Sequence, residues 1–222
     1  MIGHMIHHHR TVLSVFLILG GAPSRVSGQE AVSVLENAAE RYASLRGFCA
    51  DFNQTIDVTL LRETVESRGE LCQLRPDNFE MRFTNPLGDR VVADGDYLWV
   101  YFPSTDEGQV FRSPLAGSEG RFDLHREFLA DPGERYSATL EGHDRIDGQD
   151  MYRLSLRPRV RSPYVQARIW IGVEDVLIRR IEILEESESI RTLDLTNIRL
   201  NPAITPARFR FDPLPGVQVI TR

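Results

Sequence analysis

The sequence predicts an α+β fold, mostly β with a few helices, built on one large, strongly curved antiparallel sheet. Three observations carry this. From Gly69 to Pro103, four short apolar stretches are separated by turn signals at Arg75-Pro76-Asp77, Asn85-Pro86-Leu87-Gly88 and Asp94-Gly95. From Tyr136 to Ile220 a strand rhythm of alternating apolar residues returns. Helical spacing is confined to one stretch near the start and one short stretch near the middle.

The first 28 residues read as a signal peptide. Arg10 supplies the positive region, Thr11 to Ala22 the apolar run, and Val26-Ser27-Gly28 the small residues before a cut at Gln29. The apolar run is too short to span a bilayer as a helix. No Cys follows the cut directly, so no lipid attachment is expected there. His7, His8 and His9 fall inside this segment and are not read as a metal site.

Residues 29–222 then form one domain, long enough for a substantial core and without an internal repeat or linker. Removing the leader leaves 24 Arg, no Lys and 32 acids, a net charge of −8. That excludes nucleic acid as a partner, because phosphate contact needs a basic face.

Gln29 to Leu45 is the first helix, with Val32, Leu35, Ala39 and Tyr42 at helical spacing and Gly47 as the stop. A hairpin follows, its midpoint between Leu60 and Leu61. That register sets Cys49 opposite Cys72, Ala50 opposite Leu71 and Ile56 opposite Val65. Phe48, Ala50, Phe52, Ile56, Val65 and Leu71 share one apolar face, and the cysteines lie on the other. Export permits a Cys49–Cys72 disulfide between such close neighbours; the alternative is two unpaired thiols.

Next come strands at Glu70–Arg75, Asn78–Thr84, Asp89–Ala93 and Asp96–Phe102. Phe79, Met81 and Phe83 alternate with Glu80, Arg82 and Thr84, the pattern of a half-buried strand. Tyr97 to Phe102 is apolar on both faces, so each side needs a cover. Phe52, Phe79, Met81, Phe83 and Trp99, with Trp170 further along, are candidates for an aromatic inner surface. Such a surface can wall a cavity or form an ordinary aromatic core; the pattern alone allows both.

After a strand at Gln109–Arg112 and a connection at Ser113–Gly120, Arg121 to Ala130 reads as a short helix. It carries Phe122, His125, Phe128 and Leu129 along one side, and is either a lid or a crossover. Further strands are expected at Ser137–Gly142, Met151–Arg157, Tyr164–Ile171, Val176–Glu185, Ser189–Leu200, Arg208–Asp212 and Val217–Ile220.

The chain carries no nucleotide loop, no Gly-x-Ser-x-Gly elbow and no metal-ligand cluster. His125 and His143 stand alone, and Glu185, Glu186 and Glu188 read as a solvated hairpin tip. No enzymatic activity and no cofactor are expected.

Three blocks, in this order and spacing, resemble the LolA family of periplasmic lipoprotein carriers. They are Phe48-x-Ala50-x-Phe52-x-Gln54, the Gly69–Pro103 stretch with its Arg75-Pro76 and Tyr97-Leu98-Trp99-Val100-Tyr101 motifs, and Ala207-Arg208-Phe209-x-Phe211-x-Pro213-x-x-Gly216-Val217-x-Val219. The resemblance implies an incomplete β-barrel whose apolar cavity is covered by a lid of short helices. It implies a monomer that takes lipoprotein acyl chains from an inner-membrane lipoprotein-releasing ABC complex to an outer-membrane receptor of the LolB type. By the same resemblance Arg75 is the lid latch and Phe79 lines the cavity, while segment 113–130 departs from the family pattern. The family's receptor member is lipid-anchored, so the missing lipid-attachment Cys favours the soluble carrier. Other functions open to the same scaffold are a lipid-binding sensor or regulatory module and a carrier for a different lipid.

Overall fold

The computed structural model describes residues 24–115 and 125–221. Residues 1–23, with most of the leader and His7–His9, lie outside the described residues. So do residues 116–124, which hold the start of the expected lid helix and Phe122.

Helix α1 (Ser24–Ala43) comes first, starting five residues ahead of the position that periodicity gives. Ala31, Val34, Leu35, Ala38 and Tyr42 are its buried stripe, and it packs on strand β7 (Tyr136–Ile146). Ser27 Oγ donates to the Leu140 carbonyl of that strand at 3.0 Å.

Two meanders make up the sheet. The first runs β1 (Gly47–Val58), β2 (Glu63–Leu74), β3 (Asn78–Asn85), β4 (Leu87–Asp94), β5 (Tyr97–Tyr101) and β6 (Gln109–Pro114). The second runs β7, β8 (Gln149–Pro158), β9 (Tyr164–Gly172), β10 (Ile178–Glu185) and β11 (Ile190–Leu200). Antiparallel pairing of β1 with β11 joins them, and β12 (Gln218–Thr221) adds to β6 in parallel. The order is β12-β6-β5-β4-β3-β2-β1-β11-β10-β9-β8-β7. Since β12 and β7 do not pair with each other, the sheet is curved but open.

The first hairpin pairs Cys49 with Cys72, Ala50 with Leu71 and Ile56 with Val65. Cys49 and Cys72 are joined as a disulfide. Phe48, Ala50, Phe52 and Leu71 sit in the main core, while Val65 is exposed because the hairpin runs beyond the body of the sheet.

Curvature has a local cause at Gly69. The ladder slips between Arg68 and Gly69, and a Cβ on Gly69 would lie 2.0 Å from the Arg82 carbonyl oxygen. Phe52 and Phe83 flank Gly69 in register, and their rings meet edge to face at 5.1 Å over the gap.

Both faces of the sheet are covered. The inner face carries the main core and α1; the outer face carries a second cluster of Cys49, Cys72, Val92, Trp99, Tyr101, Phe209 and Phe211. The segment expected as strand Arg208–Asp212 forms this outer cover instead. A 3₁₀ turn (Pro206–Phe209) leads into unpaired extended chain to Gly216. Pro206, Pro213 and Pro215 have no N–H to give to a ladder, and Phe209 and Phe211 gain burial by lying flat. Of the expected lid helix, His125–Leu129 is a π-helical turn with Phe128 and Leu129 buried, followed by the one-turn helix α2 (Pro132–Arg135).

Candidate functional site

A cavity of about 850 Å³ lies between the two meanders on the inner face. Its wall follows from strand register. Leu71, Met81, Val91 and Val100 are cross-strand neighbours on β2, β3, β4 and β5, so they form one apolar row. Ile181 and Leu193 face each other on β10 and β11, and Ile183 and Phe79 extend the two sides. Phe128 of the π-helical turn closes over the top. Near the strand ends occupied by Phe102, Glu185 and Glu186, the connection Val160–Pro163 borders the opening; Val160 is 69% exposed.

The residues expected to line a cavity separate into three groups. Phe79 and Met81 line it. Phe52 and Phe83 share the inner face but pack on each other, and Phe83 meets Phe102 at 5.8 Å. Trp99 and Trp170 stand on the outer face. Trp99 pairs in register with Val92, stacks on Phe211 at 5.3 Å and donates from Nε1 to Asp94 at 2.7 Å. Trp170 lies in a row with Arg153 and Arg180 and donates from Nε1 to Asp144 at 2.7 Å. Alternation sets Ala167, Ile169 and Ile171 inward, so Trp170 must face out.

Arg75 follows β2 at the end of the strands opposite Glu185 and is absent from the cavity wall. Its Nη2 donates to the Tyr42 carbonyl at 3.1 Å, in the last turn of α1. That carbonyl lies past the helix's i→i+4 ladder and also accepts the Leu45 N–H at 3.1 Å. Arg75 therefore ties the sheet to α1, and α1 packs against the π-helical turn.

Polar groups gather near the opening, where β7 and β9 begin. Tyr164 Oη donates to Glu127 Oε1, and Tyr136 Oη donates to the Glu127 carbonyl at 2.5 Å. The two phenolic oxygens are 2.8 Å apart, and Arg135 Nη2 lies 3.5 Å from Glu127 Oε2. Burial pushes the Tyr136 hydroxyl up to about 12 and raises Tyr164 too, the latter helped by its contacts with Glu127 and Tyr136. Sequence reasoning missed this group because its members lie on three separate elements with no shared motif.

Among the described residues one grouping offers ligand atoms for a metal, Cys49, Glu70 and Cys72. Its two sulfurs are bonded to each other.

Residues 43–212 match the family described as outer membrane lipoprotein carrier protein LolA. An outer-membrane lipoprotein carrier protein of Halorhodospira halophila is 29% identical over 154 residues, 69% of each chain. One of Serratia proteamaculans is 27% identical over 198 residues, 86% of this chain and 92% of its own. Among solved structures, an uncharacterized conserved protein of Thermus thermophilus superposes with a TM-score of 0.55 at 18% identity, covering 88% of this chain and 99% of that one.

Proposed function

The chain belongs to the LolA family of outer-membrane lipoprotein carriers, and on that premise we propose that it shelters lipoprotein acyl chains in the inner-face cavity while they cross the periplasm. One observation carries the reading: an apolar cavity of about 850 Å³ between the two halves of an open sheet, with Phe79 and Met81 in its wall. That volume sits at the upper end of the usual range for ligand pockets, roughly 300–1,000 Å³.

Shielding one methylene from water contributes about 0.8 kcal/mol, so ten contribute about 8 kcal/mol. No nucleotide is needed for holding. Delivery then runs downhill to a receptor that binds the chains better. The partners at the two ends are an inner-membrane lipoprotein-releasing ABC complex and an outer-membrane receptor of the LolB type. Cleavage of a leader at Gln29 would leave α1 starting where the apolar periodicity begins. Arg75 acts as a latch through α1, holding the empty form closed by its bond to the Tyr42 carbonyl.

Protein purified from its native periplasm, extracted with organic solvent and analysed by mass spectrometry, tests the cargo. Acylated lipoprotein is the expected result; phospholipid or glycolipid alone would overturn it.

A further inference from the structure

Tyr136 and Tyr164 are buried and Glu127 is largely so. Together they stand where the apolar depth of the wall gives way to a polar rim that includes Arg161, Glu185 and Arg191, and their protons do not add up. Four O···O contacts join them: Tyr164 Oη to Glu127 Oε1, Tyr136 Oη to the Glu127 carbonyl at 2.5 Å and, more distantly, to Glu127 Oε1 at 3.4 Å, and Tyr136 Oη to Tyr164 Oη at 2.8 Å. With Glu127 ion-paired to Arg135 as a carboxylate, two hydroxyl protons serve the three short contacts. Among the described residues, the three short contacts are one donor short. A buried polar group short of a partner costs free energy that a suitable ligand atom recovers.

Position says which ligand atom. Tyr136 pairs with Pro158 and Tyr164 with Glu185, so both hydroxyls sit at the strand ends bordering the opening. Ile169 and Ile181, paired in register, lie further along β9 and β10 in the apolar depth. An acyl tail fills the apolar depth and leaves its polar junction level with the tyrosines.

We propose that Tyr136, Tyr164 and Glu127 form a junction subsite that prefers amphiphiles carrying a hydrogen-bond donor, an amide N–H or a hydroxyl, next to the acyl chain. The inference rests on the cavity being the acyl-chain site.

Two fluorescent probes with one tail separate the outcomes: the ethanolamide and the methyl ester of cis-parinaric acid. The first carries an N–H and a hydroxyl at the junction, the second neither. The unaltered protein is expected to bind the ethanolamide about tenfold more tightly, the discrimination given by one hydrogen bond to a charged acceptor. In Glu127→Gln the side-chain amide supplies the missing proton, and the affinity ratio is expected to fall to near one. Equal affinities in the unaltered protein, or a ratio that survives Glu127→Gln, overturns the subsite while leaving the cavity reading intact. Failure of both probes to bind overturns the two together. The ratio in the unaltered protein is decisive even where the variant does not fold.

Discussion

Tyr42 accepts the Ile178 N–H at 3.1 Å inside the core, and burial pushes its hydroxyl up to about 12. An unfolded tyrosine titrates at about 10. The folded value is the higher one, so this contribution is fully present below about pH 10 and is lost as pH rises from about 10 to about 12. Its size is on the order of 2–3 kcal/mol. Urea unfolding of the wild type is expected to lose stability more steeply above about pH 10 than that of Tyr42→Phe. Parallel curves would show that Tyr42 does not titrate in this range. Glu80 poses the opposite problem, a carboxylate with 0% side-chain exposure. Arg90 Nη2 at 2.6 Å, Arg208 Nε at 2.9 Å and Arg82 Nη2 at 3.1 Å surround it. Glu80→Ala strands the two more buried guanidinium groups and is expected to cost about 3–5 kcal/mol in denaturant unfolding. A loss under about 1 kcal/mol would mean water replaces the carboxylate.

The β1–β2 hairpin and the C-terminal segment show what alternation conveys and where it stops. Hairpin register was legible because a turn centred between Leu60 and Leu61 sets which residues face each other, and that alignment pairs Cys49 with Cys72. A disulfide closing about 24 residues contributes roughly 3 kcal/mol by loop entropy. Reduction is expected to lower Tm while acyl-probe binding persists, since both sulfurs lie on the outer face away from the cavity. Loss of binding on reduction, with the fold intact by circular dichroism, would contradict this. Helix α1 is held from the other end by Arg75. Arg75→Leu is expected to raise hydrogen exchange in the last turn of α1 and to slow cargo release, because only the closed, empty form loses a bond. The exposed setting limits the effect to about 1 kcal/mol. Unchanged exchange at residues 42–46 would remove Arg75 from the latch role.

Across the whole molecule, the cavity exists because two meanders meet at β1–β11 and curve without closing. Filling it separates binding from folding. Met81→Trp projects a larger ring into the cavity from the row Leu71–Met81–Val91–Val100. Free volume beside Met81 spares the overpacking cost of a filled core, so Tm is expected to change little while acyl-probe affinity falls at least tenfold. Retained affinity would place the probe elsewhere.

The sequence by itself determined the position of most strands, the turns between them, the first hairpin's register and the relative parity of side chains, because these depend on neighbours a few residues apart. It set Phe79 and Met81 on one face and Glu80 and Arg82 on the other, and the structure keeps that division. Only the tertiary structure decided which face is inner where both are apolar. In β5, Leu98 and Val100 face the main core, and Trp99 and Tyr101 face the C-terminal segment. Alternation fixes that they differ, not which way each points; that depends on what packs against each side. The same holds for the partner of Arg75 and for the meeting of Glu127, Tyr136 and Tyr164. Each contact joins elements distant along the chain, where spacing carries no information and geometry does.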